Sequence, residues 1–204
     1  MFVCLAAGRG ARMQPLTNYL HKAMIPFFGV PLLAYGILAV PEGSEIVIVV
    51  NYLKDQIAAY FGESYQGRKI RYFIQNDPKG TGDALFQFGA AACPAKPIIV
   101  WQADQMIFRE EIEILSRTGP NAGIFSDTPH GLLDLGFWKL EPATLARLKD
   151  SFDGSEHRAL PVLEREGLKQ IKIQREKLEI SFETWEQIER QCKRFRHAFP
   201  TAFL

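Results

Sequence analysis

The residues best equipped for chemistry lie near the N-terminus: Gly8-Arg9-Gly10-Ala11-Arg12, at the end of an apolar run, with Lys22 close behind. Glycines in such a turn let the backbone take up positive φ and let a ligand approach without meeting a Cβ. Successive backbone N–H groups then point into one anion-binding concavity. Arg12 would add a planar fork suited to phosphate oxygens, and Lys22 a compact point charge. A tight turn with solvated cations is the plainer reading of the same residues. The close spacing of the cations after an apolar strand favours a polyphosphate site.

Two familiar phosphate loops are excluded by spacing. A dinucleotide fingerprint needs a small third residue at position 13, where Met13 stands, and an acid about 20 residues further on. The first acidic residue is Glu42. No G-x-x-x-x-G-K-S/T run occurs, which removes a Walker-type loop.

Three further groups could act with the loop. Asp104 follows the apolar run Ile98–Trp101 and offers a hard oxygen ligand, although an aspartate at a strand end also serves as a turn residue. Gln75 follows Ile70–Ile74 and carries both donors and an acceptor, as reading a base edge requires. Pro78–Gly80 reads as a turn, Thr81 as the N-cap of a following helix and Asp83 as an acid in its first turn. His21, beside Lys22, reads as a surface imidazole. His130, His157 and His197 have no metal-ligand spacing, which argues against a transition-metal site.

These residues need elements to hold them. Apolar or β-branched runs at Met1–Ala7, Glu45–Val50, Ile70–Ile74, Ile98–Trp101, Ala122–Phe125 and Gly136–Leu140 read as strands. Helical periodicity covers Pro31–Val40, Leu53–Phe61, Thr81–Ala92, Glu110–Arg117, Pro142–Lys149, Arg158–Glu166 and Thr184–Phe195. Such alternation predicts an α/β fold, a mostly parallel sheet with helices on both faces, whose ligand lies beyond the carboxyl ends of the strands. The Gly8 loop and Asp104 both follow strands, so they can meet. Phe182, Trp185, Phe195 and Phe199 are expected to pack a C-terminal helix onto the sheet. The basic cluster Lys193–His197 suits a helix C-terminus.

The motifs resemble those of the sugar-1-phosphate nucleotidyltransferases. The opening L-A-A-G-R-G-A-R-M-Q-P-L-T…H-K-A-M-I-P is similar to that family's L-A-G-G-x-G-T-R-L-x-P-L-T…P-K-x-M-x-P. Gln75-Asn-Asp-Pro-Lys-Gly-Thr-Gly-Asp-Ala-Leu85 resembles its Q-x-x-x-x-G-T-A-x-A-L, and Trp101-Gln-Ala-Asp104 its G-D strand end. The resemblance implies a three-layer α/β/α, Rossmann-like fold with a mixed, mostly parallel sheet. It implies that Leu5, Ala6, Ala7, Gly8 and Gly10 bind nucleotide, and that Gln75, Gly80 and Thr81 form the base pocket. Arg12 and Lys22 would be catalytic, and Asp104 would hold Mg²⁺. The implied partners are a nucleoside triphosphate and a small phosphorylated acceptor, most naturally a sugar 1-phosphate.

The pattern also departs from the family. Ser181 stands where the resemblance would put a second metal-binding aspartate, with Glu183 two residues on. The span between Asp127 and Gly136 is too short for the family's sugar-phosphate-gripping strand, so the acceptor part, about residues 120–204, reads as abridged. A catalytically silent nucleotide-binding regulator is therefore an alternative reading, as is an alcohol-phosphate cytidylyltransferase of the same fold.

Composition narrows the classes. The 204 residues, 47% hydrophobic, read as one domain with a single well-buried core. With 24 basic and 23 acidic side chains, no global field recruits nucleic acid or an anionic membrane. Three cysteines without C-x-x-C spacing argue against a disulfide framework and for a reducing, cytoplasmic setting. No apolar run spans a bilayer. A homo-oligomer is compatible with everything above.

Overall fold

The computed structural model describes residues 1–128, 131–151, 158–173 and 184–195. In chain order the strands are Phe2–Ala6 (β1), Pro26–Phe27 (β2), Val30–Pro31 (β3), Glu45–Val50 (β4), Ser64–Tyr65 (β5), Arg68–Ile74 (β6), Ile98–Gln102 (β7), Ala122–Thr128 (β8), Gly131–Leu140 (β9) and Lys169–Ile173 (β10). The α-helices are Leu32–Ala39 (α1), Lys54–Phe61 (α2), Thr81–Ala92 (α3), Arg109–Arg117 (α4), Pro142–Arg147 (α5), Ala159–Arg165 (α6) and Trp185–Phe195 (α7).

Eight strands form one sheet in the order β10-β8-β9-β7-β1-β4-β6-β5. Its centre is parallel: β1 pairs with β4 and β7, and β4 with β6. The antiparallel hairpin of β8 and β9 joins it through β9 against β7, and β10 adds a parallel strand beyond β8. The run Lys169–Ile173 escaped the sequence reading. Its residues are exposed or half-buried at a sheet edge, so it lacks the buried alternation that marks a strand.

Period-two alternation sends Cys4 and Ala6 of β1, Ile46 and Ile48 of β4, and Trp101 of β7 to one face. There they pack with Leu33, Ala34 and Ile37 of α1, Ile57 and Phe61 of α2, and Ile112 and Leu115 of α4. Val3 and Leu5, Val47 and Val49, and Ile98 and Val100 point the other way, against Leu85 and Phe88 of α3, Leu145 of α5, and Val162 and Leu163 of α6. Two cores on opposite faces of one sheet make the three α/β/α layers. Trp101 is fully buried, and a Cβ at Gly36 of α1 would lie 2.5 Å from its indole Nε1, so that helix can pack this closely only through a glycine.

A third apolar cluster lies off the sheet, where Met13, Ile25, Phe27, Leu32, Tyr35 and Met106 meet Ile188 of α7. The C-terminal helix thus docks through Ile188 onto the segment that follows the glycine loop. Trp185 is 54% exposed and does not pack the helix on the sheet as expected. Phe182 and Phe199 lie outside the described residues, as do His130, His157, His197, Ser181 and Glu183.

Candidate active site

β1 lies between β4 and β7. The chain steps outward from β1 to β4 and β6 and then returns to the other side of β1 with β7, creating a switch point in strand order. A crevice opens there, beyond the carboxyl ends of the strands. The loop after β1 and the turn after β7 both enter it, and the Ala103 N–H donates to the Leu5 carbonyl at 3.0 Å.

The crevice is a cleft of about 370 Å³. Leu5, Ala6, Ala7, Gly8, Gly10, Arg12, Lys22, Gln75, Gly80, Thr81 and Asp104 all line it. Residues separated by up to 99 positions therefore share one cavity, because the parallel strands β7, β1, β4 and β6 end side by side. Arg9, His21 and Gln102, which the sequence reading did not assign, also line it. Gln102 ends β7 beside Asp104, and its strand-end position was the signal available.

The two loop glycines do different work. Gly10 has φ +63°, and a Cβ there would lie 3.1 Å from both Lys22 Cβ and Thr17 Cγ2. It is needed for its conformation and for the close approach of the loop to Lys22. Thr17 Oγ1 donates to the Gly10 carbonyl at 2.9 Å and holds the turn. Gly8 does not have positive φ, contrary to the sequence expectation, and an added Cβ would meet no protein atom within 4 Å. It leaves open space over the cleft. Arg9 stacks over the ring of Tyr52 at 5.4 Å, a position consistent with a cation–π contact, and the Tyr52 hydroxyl donates to the Thr17 carbonyl at 2.8 Å.

Lys22 Nζ lies 2.5 Å from Asp104 Oδ2, with the two side chains only 14% and 23% exposed. In so sheltered a place each charge depends on its counterion. Asp104 therefore sits where a cation is favoured, and here the ammonium fills that role. Among the described residues no group of three His, Cys, Asp or Glu side chains could cage a metal. Mg²⁺ does not need one: it binds through one or two carboxylates, waters and substrate phosphates. A lone hard oxygen facing a phosphate-sized cleft fits that requirement.

His21 is buried, at 2% exposure, and not a surface imidazole. Its Nδ1 accepts the Ala23 N–H at 3.1 Å, which puts the ring hydrogen on Nε2. Burial pushes its pKa down to about 4, so the ring is neutral near pH 7. Its backbone N–H donates to Gln56 Oε1 at 2.8 Å, and Gln56 Nε2 donates to the Tyr19 carbonyl at 2.7 Å. One side chain of α2 thus clamps the segment leading into Lys22.

Gln75 closes the opposite wall, its backbone N–H donating to the Val50 carbonyl at 2.9 Å. The N-cap of α3 is Gly80, with φ 120°, and not Thr81. The Thr81 hydroxyl instead accepts the Ala159 N–H at 3.3 Å and ties α3 to α6.

Comparisons with known proteins bear on the family and the fold. The profile of the family described as nucleotidyl transferase matches residues 1–120. The bifunctional protein GlmU of Methanococcus maripaludis is 34% identical over 139 residues, 66% of this chain and 32% of that protein. The UTP–glucose-1-phosphate uridylyltransferase AglF of Haloferax volcanii is 39% identical over 85 residues, 41% of this chain and 35% of that protein. The alignments thus span about a third of the length of these relatives. The fold of a UDP-glucose pyrophosphorylase crystallised with UDP-glucose superposes with a TM-score of 0.78, covering 96% of this chain and 97% of that one at 18% identity. A glycine loop and an aspartate meeting at the switch point of an α/β/α sheet, in a chain whose first 120 residues match that profile, place this protein in the nucleotidyl transferase family.

Proposed function

We propose that the protein transfers a nucleoside monophosphate from a nucleoside triphosphate to a sugar 1-phosphate and releases pyrophosphate, with Mg²⁺ as cofactor. The observation that carries this reading is the convergence of the Gly8–Gly10 loop, Lys22 and Asp104 on one cleft, with Lys22 and Asp104 in ion-pair contact. The names of the relatives, a uridylyltransferase and a UDP-glucose pyrophosphorylase among them, support the substrate class.

In this reaction an acceptor phosphate oxygen attacks the α-phosphorus, and the bond from that phosphorus to the pyrophosphate oxygen breaks. The electron pair leaves with pyrophosphate, and no protein group need form a covalent bond. Positioning and charge neutralisation supply most of the rate. Backbone N–H groups of the loop from Leu5 to Gly10 cradle the triphosphate, and Arg12 neutralises the charge growing on the departing pyrophosphate. Lys22 releases Asp104 and neutralises the α-phosphate during attack. Gln75, Gly80 and Thr81 hold the base. Asp104 is the protein ligand for Mg²⁺, which supplies charge neutralisation on the phosphate oxygens.

Residues 1–204 act as one domain in this reading, with the acceptor held by an abridged part from about residue 120 onward. Three free cysteines, Cys4 buried and Cys93 exposed, suit a reducing cytoplasm. Among the described residues no helix is long and apolar enough to cross a membrane. The test is direct: purified protein with Mg²⁺, a panel of nucleoside triphosphates and sugar 1-phosphates is expected to release pyrophosphate. Tight nucleotide binding with no pyrophosphate from any pairing would favour the silent, regulatory reading instead.

A further inference from the structure

Asp83, in the first turn of α3, does not line the cleft, yet it governs a side chain that does. It is buried, at 7% exposure, and its Oδ2 accepts three hydrogen bonds: from Gln75 Nε2 at 2.5 Å, Gln87 Nε2 at 2.9 Å and the Lys79 N–H at 3.3 Å. The direction of this network is not arbitrary, because backbone groups set its polarity at both ends. The Asn76 N–H can only donate, and it donates to Gln87 Oε1 at 2.9 Å. Gln87 Nε2 must therefore be the end that meets Asp83 and the Asn76 carbonyl. At the other end the Gly80 carbonyl can only accept, and it faces Gln75 Nε2 at 3.4 Å.

Both N–H bonds of the Gln75 amide are thus spent inside the protein. Gln75 is 2% exposed, lines the cleft, and has its backbone held by Val50 and by Asn51 Nδ2, which donates to the Gln75 carbonyl at 2.8 Å. What it has left for a ligand is the acceptor Oε1. Beside it, the first N–H groups of α3 have no acceptor within the helix and suit a carbonyl oxygen.

We infer that Asp83 is the positioning residue for base recognition: by taking the Gln75 amide N–H it presents Gln75 Oε1 to the base. The site then takes a base whose ring nitrogen carries a hydrogen next to a carbonyl, as in uracil, thymine or guanine. Cytosine and adenine present a lone pair at that nitrogen and leave two acceptors facing each other. The inference rests on the proposal that Gln75 faces the base, and goes beyond it by naming the base class and the residue that imposes it.

The test compares dissociation constants of UTP, dTTP, GTP, CTP and ATP for the wild type, Asp83→Asn and Asp83→Leu, with pyrophosphate as a base-free probe. A buried acceptor of this kind is expected to favour the best of UTP, dTTP and GTP over CTP and ATP by about tenfold or more. Asp83→Asn keeps an oxygen for the same three donors and should keep that ratio. Asp83→Leu frees the Gln75 amide to turn and should bring the ratio to within about threefold with pyrophosphate affinity unchanged, a split that loss of fold alone would not produce. A wild type preferring CTP or ATP, or an Asp83→Leu protein with the wild-type ratio, would overturn the inference.

Should Asp83→Leu not fold, the wild type with N3-methyl-UTP or N1-methyl-GTP decides. Methylation of the preferred base is expected to weaken binding at least about tenfold, and equal binding would overturn the inference. If pyrophosphate binds and no triphosphate binds more tightly, the nucleotide reading itself has failed. Discrimination that persists in Asp83→Leu overturns the inference and leaves the nucleotide reading standing.

Discussion

The sheet has two unlike regions. Strands β1, β4, β6 and β7 run parallel with carboxyl ends that open together, and all eleven residues expected at the site lie on these strands or in the segments that join them. The β8–β9 hairpin is antiparallel, with β10 parallel to β8 on its far side, and it contributes Trp138 and Phe137 to the two cores and, among the described residues, none to the cleft. The first region holds the cleft that its strand ends assemble. The second builds on β7 and stabilises the sheet, and it is the region where the acceptor half reads as abridged. The family profile follows the same division, matching residues 1–120.

The sharpest challenge to that division is Phe137→Ala. Phe137 is fully buried among Trp101 and its neighbours, and the cavity should cost about 3–5 kcal/mol in chemical denaturation. If the regions are separable, the protein that remains folded should bind nucleotide with affinity within about twofold of the wild type. A tenfold loss would mean that the hairpin shapes the cleft.

Next in size is Asp104→Asn, which keeps the shape of the turn and removes its charge. Turnover in the pyrophosphate assay should fall at least about a hundredfold, and the melting temperature should drop because Lys22 loses its counterion. Unaltered turnover would remove the metal and counterion role from this residue. Arg12→Ala should weaken triphosphate binding about tenfold and monophosphate binding much less, as calorimetry would show. Equal losses would separate Arg12 from the pyrophosphate.

A last contrast sets two buried titratable groups against each other, one per region. Asp134 of β9 accepts N–H bonds at 3.0 Å from both Gly136 and the Trp138 indole, yet burial raises its pKa to about 6. The native state holds this proton more tightly than the unfolded chain does. Its contribution to stability is therefore full below about pH 3.8 and is lost as the pH rises through about 6. His21 has the opposite sign. Its pKa falls from 6.5 to about 4, so its contribution is present above pH 6.5 and is lost as the pH falls toward 4. Asp134→Asn should stabilise the protein by about 1–3 kcal/mol at pH 7 relative to pH 4, measured as the change in unfolding free energy across that range. A wild-type pH profile in the variant would mean that Asp134 is solvated.

Much of this was legible in the residues. Strands β1, β4 and β7 and helix α3 announce themselves because both faces of a central strand are apolar and a buried helix face repeats with period 3.6. The β8–β9 hairpin was seen only in its buried parts, since Leu132 and Leu133 lie exposed at the start of β9 and give no alternation toward a core. His21 was misjudged because a polar side chain beside a lysine reads as surface. Only the packing of the loop under Ala6 and the clamp from Gln56 bury it. Asp83 likewise read as a dipole partner, since its hydrogen-bonding to Gln75 depends on how β6 and α3 close on each other.

By itself the sequence determined the glycine loop with its cations, the order of strands and helices, and the family to which such a run belongs, for these depend on residue type and local spacing. Tertiary structure alone decided that Lys22 and Asp104, 82 positions apart, share a charge, that Gly10 and not Gly8 must be glycine for its backbone, and which end of the Gln75 amide faces the cleft. The physical reason is that ion pairing, close approach and hydrogen-bond direction are properties of pairs of groups. The chain's local preferences do not encode which distant group will arrive as the partner until the parallel strands bring their ends together.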